Sequence, residues 1–118
     1  MTESMLTVSQ VHDARGAVLV HIDGELDHHT APKFRLALTE VPFTTGVPVI
    51  MDLSRLEYCD SSGITLFITA YHKAAAAPTQ LVLVNLGPDL RRMFTIAGID
   101  QIIPMHASID AYFDDVPH

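Results

Sequence analysis

Two short and almost unbroken apolar runs, at residues 47–53 and 81–84, constrain the fold of this chain more than any other feature. Such runs are typical of strands covered on both faces, as in parallel sheets flanked by helices. Each run precedes a segment whose apolar residues recur at helical spacing, within residues 64–75 and 90–97. Strands that alternate with helices in this way predict a layered α/β fold.

Weaker signals complete the predicted order of elements. Residues 7–11 alternate in polarity and are expected to pair with an apolar strand that ends at Asp23-Gly24. The remaining predictions use capping and helix-stop residues. In chain order we expect a hairpin of residues 7–11 and 18–22, a helix capped by Thr30 and closed by Pro42, a helix ended by Gly98, a short strand at Ile102-Ile103 and a last helix at residues 108–113.

Composition narrows the class of protein further. The chain has 118 residues, of which 48% are hydrophobic, and this is enough for a core without metal or disulfide support. We therefore expect residues 1–118 to form a single domain, a mixed sheet of about four to five strands packed with about four helices. A single cysteine, Cys59, excludes an internal disulfide framework and a four-cysteine zinc site.

Charge and motif content exclude several functions. The formal net charge of −7 opposes nucleic-acid binding, which depends on Lys and Arg. No apolar run approaches the ~20 residues of a membrane span, and no signal peptide is recognisable, so a cytoplasmic protein is expected. No phosphate-binding or dinucleotide glycine motif is present, and the adjacent His28 and His29 make a poor metal chelate. We therefore expect no cofactor and no metal.

The most informative segment is Asp60-Ser61-Ser62-Gly63, between the first apolar run and the second predicted helix. Backbone N–H groups and the helix dipole at such a position favour an anion. One interpretation is that Asp60 or Ser61 only caps the helix. The other is that Ser61 is exposed and carries a phosphate, which adds about −1.5 to −2 charges. Gly63 is expected to permit the close approach of another backbone.

Two neighbouring residues allow alternative interpretations. Asp27 lies just before the first predicted helix, and it is either a cap-region carboxylate or faces the Ser61 loop across the sheet ends. Cys59, in the loop before Asp60, is expected to be a small buried hydrophobe rather than a reactive thiol. A serine hydrolase would need a base and an oxyanion hole beside Ser61, and no motif supplies them. We therefore expect no enzymatic activity.

Three segments together resemble the STAS domain family, specifically its free-standing anti-sigma factor antagonists, and the resemblance extends over essentially the whole chain. The serine loop resembles the family's phosphorylation loop, although Ile64-Thr65 follows Gly63 where many relatives have Leu-Gly. The matching segments are Gly24-Glu25-Leu26-Asp27-His28-His29-Thr30-Ala31, Asp60-Ser61-Ser62-Gly63 and Pro88-Asp89-Leu90-Arg91-Arg92-Met93-Phe94 with Ala97-Gly98-Ile99.

The resemblance implies a partner-switching regulator. Its unphosphorylated form would bind an anti-sigma factor that is also a serine kinase, phosphorylation of Ser61 would break the complex, and a serine phosphatase would reset it. By position, Asp27, Asp60, Ser62 and Gly63 would contact the partner or kinase. The protein would be a monomer or a weak dimer. The alternative within the same fold is a non-switching scaffold or a small-ligand sensor in a larger complex.

Overall fold

A computed structural model describes residues 4–115, which form one mixed sheet with helices packed against it. The predicted α/β class is confirmed. In chain order the elements are β1 (Leu6–Asp13), β2 (Ala17–Leu26), α1 (Ala31–Glu40), β3 (Val49–Asp52), β4 (Leu56–Cys59), α2 (Ser61–Ala76), β5 (Leu81–Val84), α3 (Pro88–Ile96), a 3-10 turn (Ile99–Gln101), β6 (Met105–His106) and α4 (Ile109–Asp115).

The sheet combines one antiparallel pair with parallel strands. β1 and β2 form the expected hairpin, and the main strand order is β1-β2-β3-β5-β6. All pairs after the hairpin are parallel. β2 pairs with β3 through residues 18–21 and then with β4 through residues 24–26. The C-terminal ends of β2 and β4 therefore lie side by side.

The two apolar runs of the sequence form the covered centre of the sheet. Every residue of β3 and β5 is buried. On one face the sheet packs against Phe34 of α1, Phe67 of α2 and Phe94 of α3, whose rings lie 5.2 and 5.3 Å apart in turn. On the other face Tyr112 and Phe113 of α4 cover it. Burial on both faces explains why these strands lack polar alternation.

Two predicted strand positions were wrong. β2 does not end at Asp23-Gly24 but continues to Leu26, because Gly24 has φ +109° and the pairing register shifts there. Residues 102 and 103 form no strand, since the N–H groups of both donate to the Ile99 carbonyl within a turn. The last parallel strand is instead Met105–His106.

The remaining helix boundaries agree well with expectation. α2 ends before Pro78, and Gly98, with φ +82°, follows α3 in the left-handed conformation that commonly ends helices.

The strand β4 was not predicted. Cys59 is its last residue, whereas we expected it to lie in a loop. Within residues 4–115, none of the helices has both the length and the apolar character required to cross a lipid bilayer.

Candidate functional site

Parallel pairing of β2 with β4 places the two sequence segments of interest at one edge of the sheet. Leu26 pairs with Cys59, and the N–H of Asp60 donates to the Leu26 carbonyl at 3.0 Å. Asp27 comes directly after β2, and Ser61 comes two residues after the end of β4. Both residues therefore follow the ends of neighbouring parallel strands. The backbone therefore brings the Asp27 turn and the Ser61 loop to the same end of the sheet.

Asp60 is the residue that caps α2. Its Oδ1 accepts hydrogen bonds from the N–H groups of Ser62 at 2.9 Å and Gly63 at 3.4 Å. Ser61 is the first residue of the helix and is exposed. Within residues 4–115 the Ser61 hydroxyl makes no hydrogen bond. Capping thus occupies Asp60 and leaves the Ser61 hydroxyl available to a partner.

Gly63 allows the first turn of α2 to lie directly on β2 and β4. A Cβ at this buried position would lie 2.6 Å from both Cys59 Sγ and Leu26 Cγ. A real Cβ does not approach heavy atoms so closely, so a larger residue would push the helix outward. The expected close approach exists, but side chains rather than another backbone make it.

Cys59 is buried beneath this turn. Desolvation, together with the neighbouring Asp60 charge, raises the pKa of its thiol to about 12. A thiol of this kind stays protonated at neutral pH and is a poor nucleophile. The prediction of a small buried hydrophobe is confirmed.

The Asp27 carboxylate organises the turn before α1. Its Oδ1 accepts hydrogen bonds from the N–H groups of His29 at 2.9 Å and Thr30 at 3.0 Å, and its Oδ2 accepts one from the Ser4 hydroxyl. The Ser4 contact, followed by these backbone donors, lowers the pKa of Asp27. Asp27 is therefore a cap-region carboxylate that holds the turn before α1, and the strand ends also place it at the edge that bears Ser61.

Thr30 occupies the N-cap position of α1 but does not cap it, so that part of the prediction was wrong. Its hydroxyl donates to the Glu25 carbonyl at 2.7 Å and accepts the Asp27 N–H at 3.0 Å. The Thr30 hydroxyl thus bonds within the loop before α1, and the Asp27 carboxylate accepts the N–H groups of His29 and Thr30 in the same loop. A Thr two residues before a proline looks like a cap in sequence, whereas only the folded loop shows where its hydroxyl bonds.

Local charge at the site is negative. Asp27 and Asp60 are its carboxylates, and no Lys or Arg occurs in residues 24–30 or 59–65. The exposed rings of His28 and His29 pack edge to face at 4.7 Å. In the part of the chain that the structure describes, no histidine is hydrogen-bonded to Ser61 and no group of three metal-ligating side chains exists.

A polar cluster that the sequence did not reveal lies at the end of β3. The buried Asp52 carboxylate is 3.0 Å from His21 Nδ1 and accepts hydrogen bonds from Asn85 Nδ2 at 3.1 Å and from the Ser54 N–H at 3.0 Å. Burial opposes ionisation of Asp52, but hydrogen bonds from Asn85 and Ser54 outweigh it and lower its pKa. The cluster ties together the loops after β3 and β5. An aspartate that interrupts an apolar run was its only signal.

Comparisons with known proteins agree with this architecture. The STAS domain family model matches residues 8–112. The anti-sigma-B factor antagonist of Listeria monocytogenes is 37% identical over 87 residues, which cover 70% of this chain and 76% of that protein. The anti-sigma F factor antagonist of Paenibacillus polymyxa is 26% identical over 78% of this chain and 80% of its own length.

Solved structures give the same result. The Bacillus cell fate determinant SpoIIAA, solved in its phosphorylated form, superposes with a TM-score of 0.67 and 26% identity, over 94% of this chain and all of that one. An anti-sigma factor antagonist from Mycobacterium paratuberculosis reaches a TM-score of 0.72 at 24% identity, over 97% and 94% of the two chains, and supports the fold alone. The sheet order, the serine at the start of α2 and the family match over most of the sequence lead to one conclusion: this chain belongs to the STAS domain family, and its matched relatives are named anti-sigma factor antagonists.

Proposed function

We propose that this protein is an anti-sigma factor antagonist whose binding is controlled by phosphorylation of Ser61. The observation that carries the proposal is the free, exposed hydroxyl of Ser61 at the start of α2, beside a cap that Asp60 already provides. In its unphosphorylated form the protein binds an anti-sigma factor with serine kinase activity, so that a sigma factor is released. The names of the relatives support the choice of partner.

Charge supplies the switch. A phosphate on Ser61 adds about two negative charges next to two carboxylates, with no Lys or Arg in the adjoining segments to neutralise them. Desolvating such a dianion in an interface is costly, and an acidic partner surface repels it. A loss of about 3 kcal/mol weakens binding more than a hundredfold. One modification is therefore enough to dissociate a moderately tight complex.

The proposed contact surface surrounds Ser61. Asp27, Asp60 and Ser62 lie at the same sheet edge or helix start and contact the kinase, while the buried Gly63 contributes by fixing the position of the helix. The surface continues along the exposed face of α2 within residues 62–77. Asp27 takes part as an ionised carboxylate, since its hydrogen bonds lower its pKa.

The remaining proposals concern the phosphatase, the cellular compartment, the oligomeric state and the partners that the protein does not bind. A serine phosphatase resets Ser61, and the protein is a cytoplasmic monomer or weak dimer that acts by binding rather than catalysis. Nucleic acid and membrane are not its partners, since a chain with net charge −7 is repelled by both phosphate backbones and anionic lipid.

Phosphosite mapping tests the proposal without knowledge of the kinase. The pure protein is incubated with native cell extract and ATP and then examined by mass spectrometry, with Ser61→Ala as the matched control. We expect phosphate on Ser61 of the wild-type chain. In Ser61→Ala we expect no phosphate on the neighbouring Ser62. An active extract that leaves Ser61 unmodified would contradict the switch and favour a non-switching scaffold or sensor.

A further inference from the structure

We propose that a cavity at the C-terminal end of α2 binds a small cationic amphiphile. The cavity has a volume of about 550 Å³, which falls in the range of small-molecule sites. It lies beside the last turns of α2 and is lined there by Tyr71, Ala74 and Ala75. Ser61 is the first residue of this 16-residue helix, about 15–21 Å from these residues along its axis. The proposal is thus independent of the phosphorylation site.

The sequence explains why the space is empty. Ala74 and Ala75 of α2 line it, and neither side chain is long enough to fill it. Pro104 precedes β6 and has no N–H to donate, so β6 pairs with Leu83 and Val84 but not with the first half of β5. The first two residues of β5, Leu81 and Val82, therefore have no partner in β6, and they line the cavity.

The lining is mainly apolar, with polar groups supplied by β6 and α4. His106 Nδ1 lies 3.2 Å from Asp115 Oδ2, and the Tyr112 hydroxyl donates to Gln80 Oε1 at 2.7 Å. The rings of His106 and Tyr112 pack edge to face at 5.3 Å, which holds both in place. Fixed polar groups next to an apolar space are the usual composition of a ligand site. The apolar part consists of Tyr71, Ala74, Ala75, Leu81, Val82, Ile102 and Pro104.

Charge selects the class of ligand. The lining contains one carboxylate, that of Asp115, and no Lys or Arg. Tyr71 and Tyr112 add aromatic side chains to the lining, and aromatic rings attract cations. The net charge of −7 favours a positive ligand as it approaches. An anionic ligand would meet no Lys or Arg, and the imidazole of His106 already contacts Asp115. The geometry fits a compound with an apolar body and one ammonium group near Asp115.

Protein NMR titration with two matched probes tests this inference. Phenethylammonium carries the predicted charge, and 3-phenylpropionate presents a similar apolar body with the opposite charge. We expect saturable shifts with the amine at the amides of Ala75, Leu81 and Ile102, and none with the acid. Equal responses to the two probes, or no saturable shift with the amine, would overturn the proposal.

Variants with close controls test the site itself. Ala75→Leu fills the cavity and should abolish amine binding, whereas Ala76→Leu, on the same helix but outside the lining, should leave it unchanged. Asp115→Asn should weaken the amine about fivefold, and Asp114→Asn should not. Circular dichroism checks that each variant is folded. An amine affinity that is unchanged in both Ala75→Leu and Asp115→Asn would show that this cavity is not its site.

Discussion

At the scale of single residues, Asp27 holds the turn before α1 and, in the proposed function, also contacts the kinase, and one substitution can separate these two roles. Its Oδ1 holds the turn before α1 through the N–H groups of His29 and Thr30, so Asp27→Ala would disturb the fold as well as the charge. Asp27→Asn retains an oxygen acceptor for the turn, removes the charge and replaces the oxygen that accepts from the Ser4 hydroxyl by an amide group. Asparagine and aspartate serve almost equally well as caps.

We therefore predict that Asp27→Asn lowers the rate of Ser61 phosphorylation by roughly tenfold, equivalent to ~1.4 kcal/mol, while its midpoint of thermal unfolding stays close to that of the wild type. The rate is measured with the cognate kinase and labelled ATP, and Asp23→Asn, on the preceding strand, is the control. Unchanged kinetics in Asp27→Asn would remove this carboxylate from the kinase contact.

The Cys59 thiol gives a prediction about pH. Its pKa is raised to about 12 in the folded protein, from an ordinary value of 9.0. Because the folded state disfavours the thiolate, stability is fully present below about pH 9 and is lost as the pH rises towards 12. Denaturant titrations should show a steeper loss over this interval in the wild type than in Cys59→Ala. Parallel stability curves for the two would refute the shift.

At the scale of elements, the contact between α2 and the sheet depends on a missing side chain. We predict that Gly63→Ala destabilises the fold by about 1–3 kcal/mol, because its Cβ would overlap Cys59 and Leu26. Gly87→Ala is the control, since a Cβ there meets nothing within 4 Å, and it should cost less than about 1 kcal/mol. Urea unfolding measures both. Equal costs would mean that the close packing at Gly63 carries no special penalty.

The elements also show what could be predicted from sequence. β3 and β5 were predictable because burial on both faces leaves an unbroken apolar run, and the start of α2 was predictable because Asp60 is a good cap. β4 has buried ends and exposed central residues, so no alternation reveals it. The strand expected at residues 102–103 failed because the turn after Gly98 uses their N–H groups.

Contacts within the site were less predictable than its position. The order of motifs placed Ser61 at the start of a helix, and local pattern alone was enough for that. The hydrogen bond from Ser4 to Asp27 and the packing of Gly63 against Leu26 depend on how distant strands align. That alignment arises from the shift of β2 pairing at Gly24, which periodicity does not encode.

At the scale of the whole molecule, the two proposed functional regions of this acidic protein lie at opposite ends of α2. The N-terminal end presents an exposed serine among carboxylates, and the C-terminal end borders an apolar cavity. The net charge of −7 means that each further negative charge is added against an existing unfavourable potential. Under the proposed switch, a single phosphate on Ser61 therefore changes which proteins this surface binds.

The most direct measurement of the central claim is the affinity of the cognate anti-sigma factor for Ser61→Ala and Ser61→Asp, by calorimetric titration. Ser9→Asp is the control, because it places the same charge on an exposed position of β1, outside the proposed contact surface, and should leave the affinity unchanged. We predict that Ser61→Ala binds as tightly as the unmodified protein and that Ser61→Asp binds at least tenfold more weakly, a loss of about 1.4 kcal/mol. Equal affinities for Ser61→Ala and Ser61→Asp would contradict control by charge at Ser61.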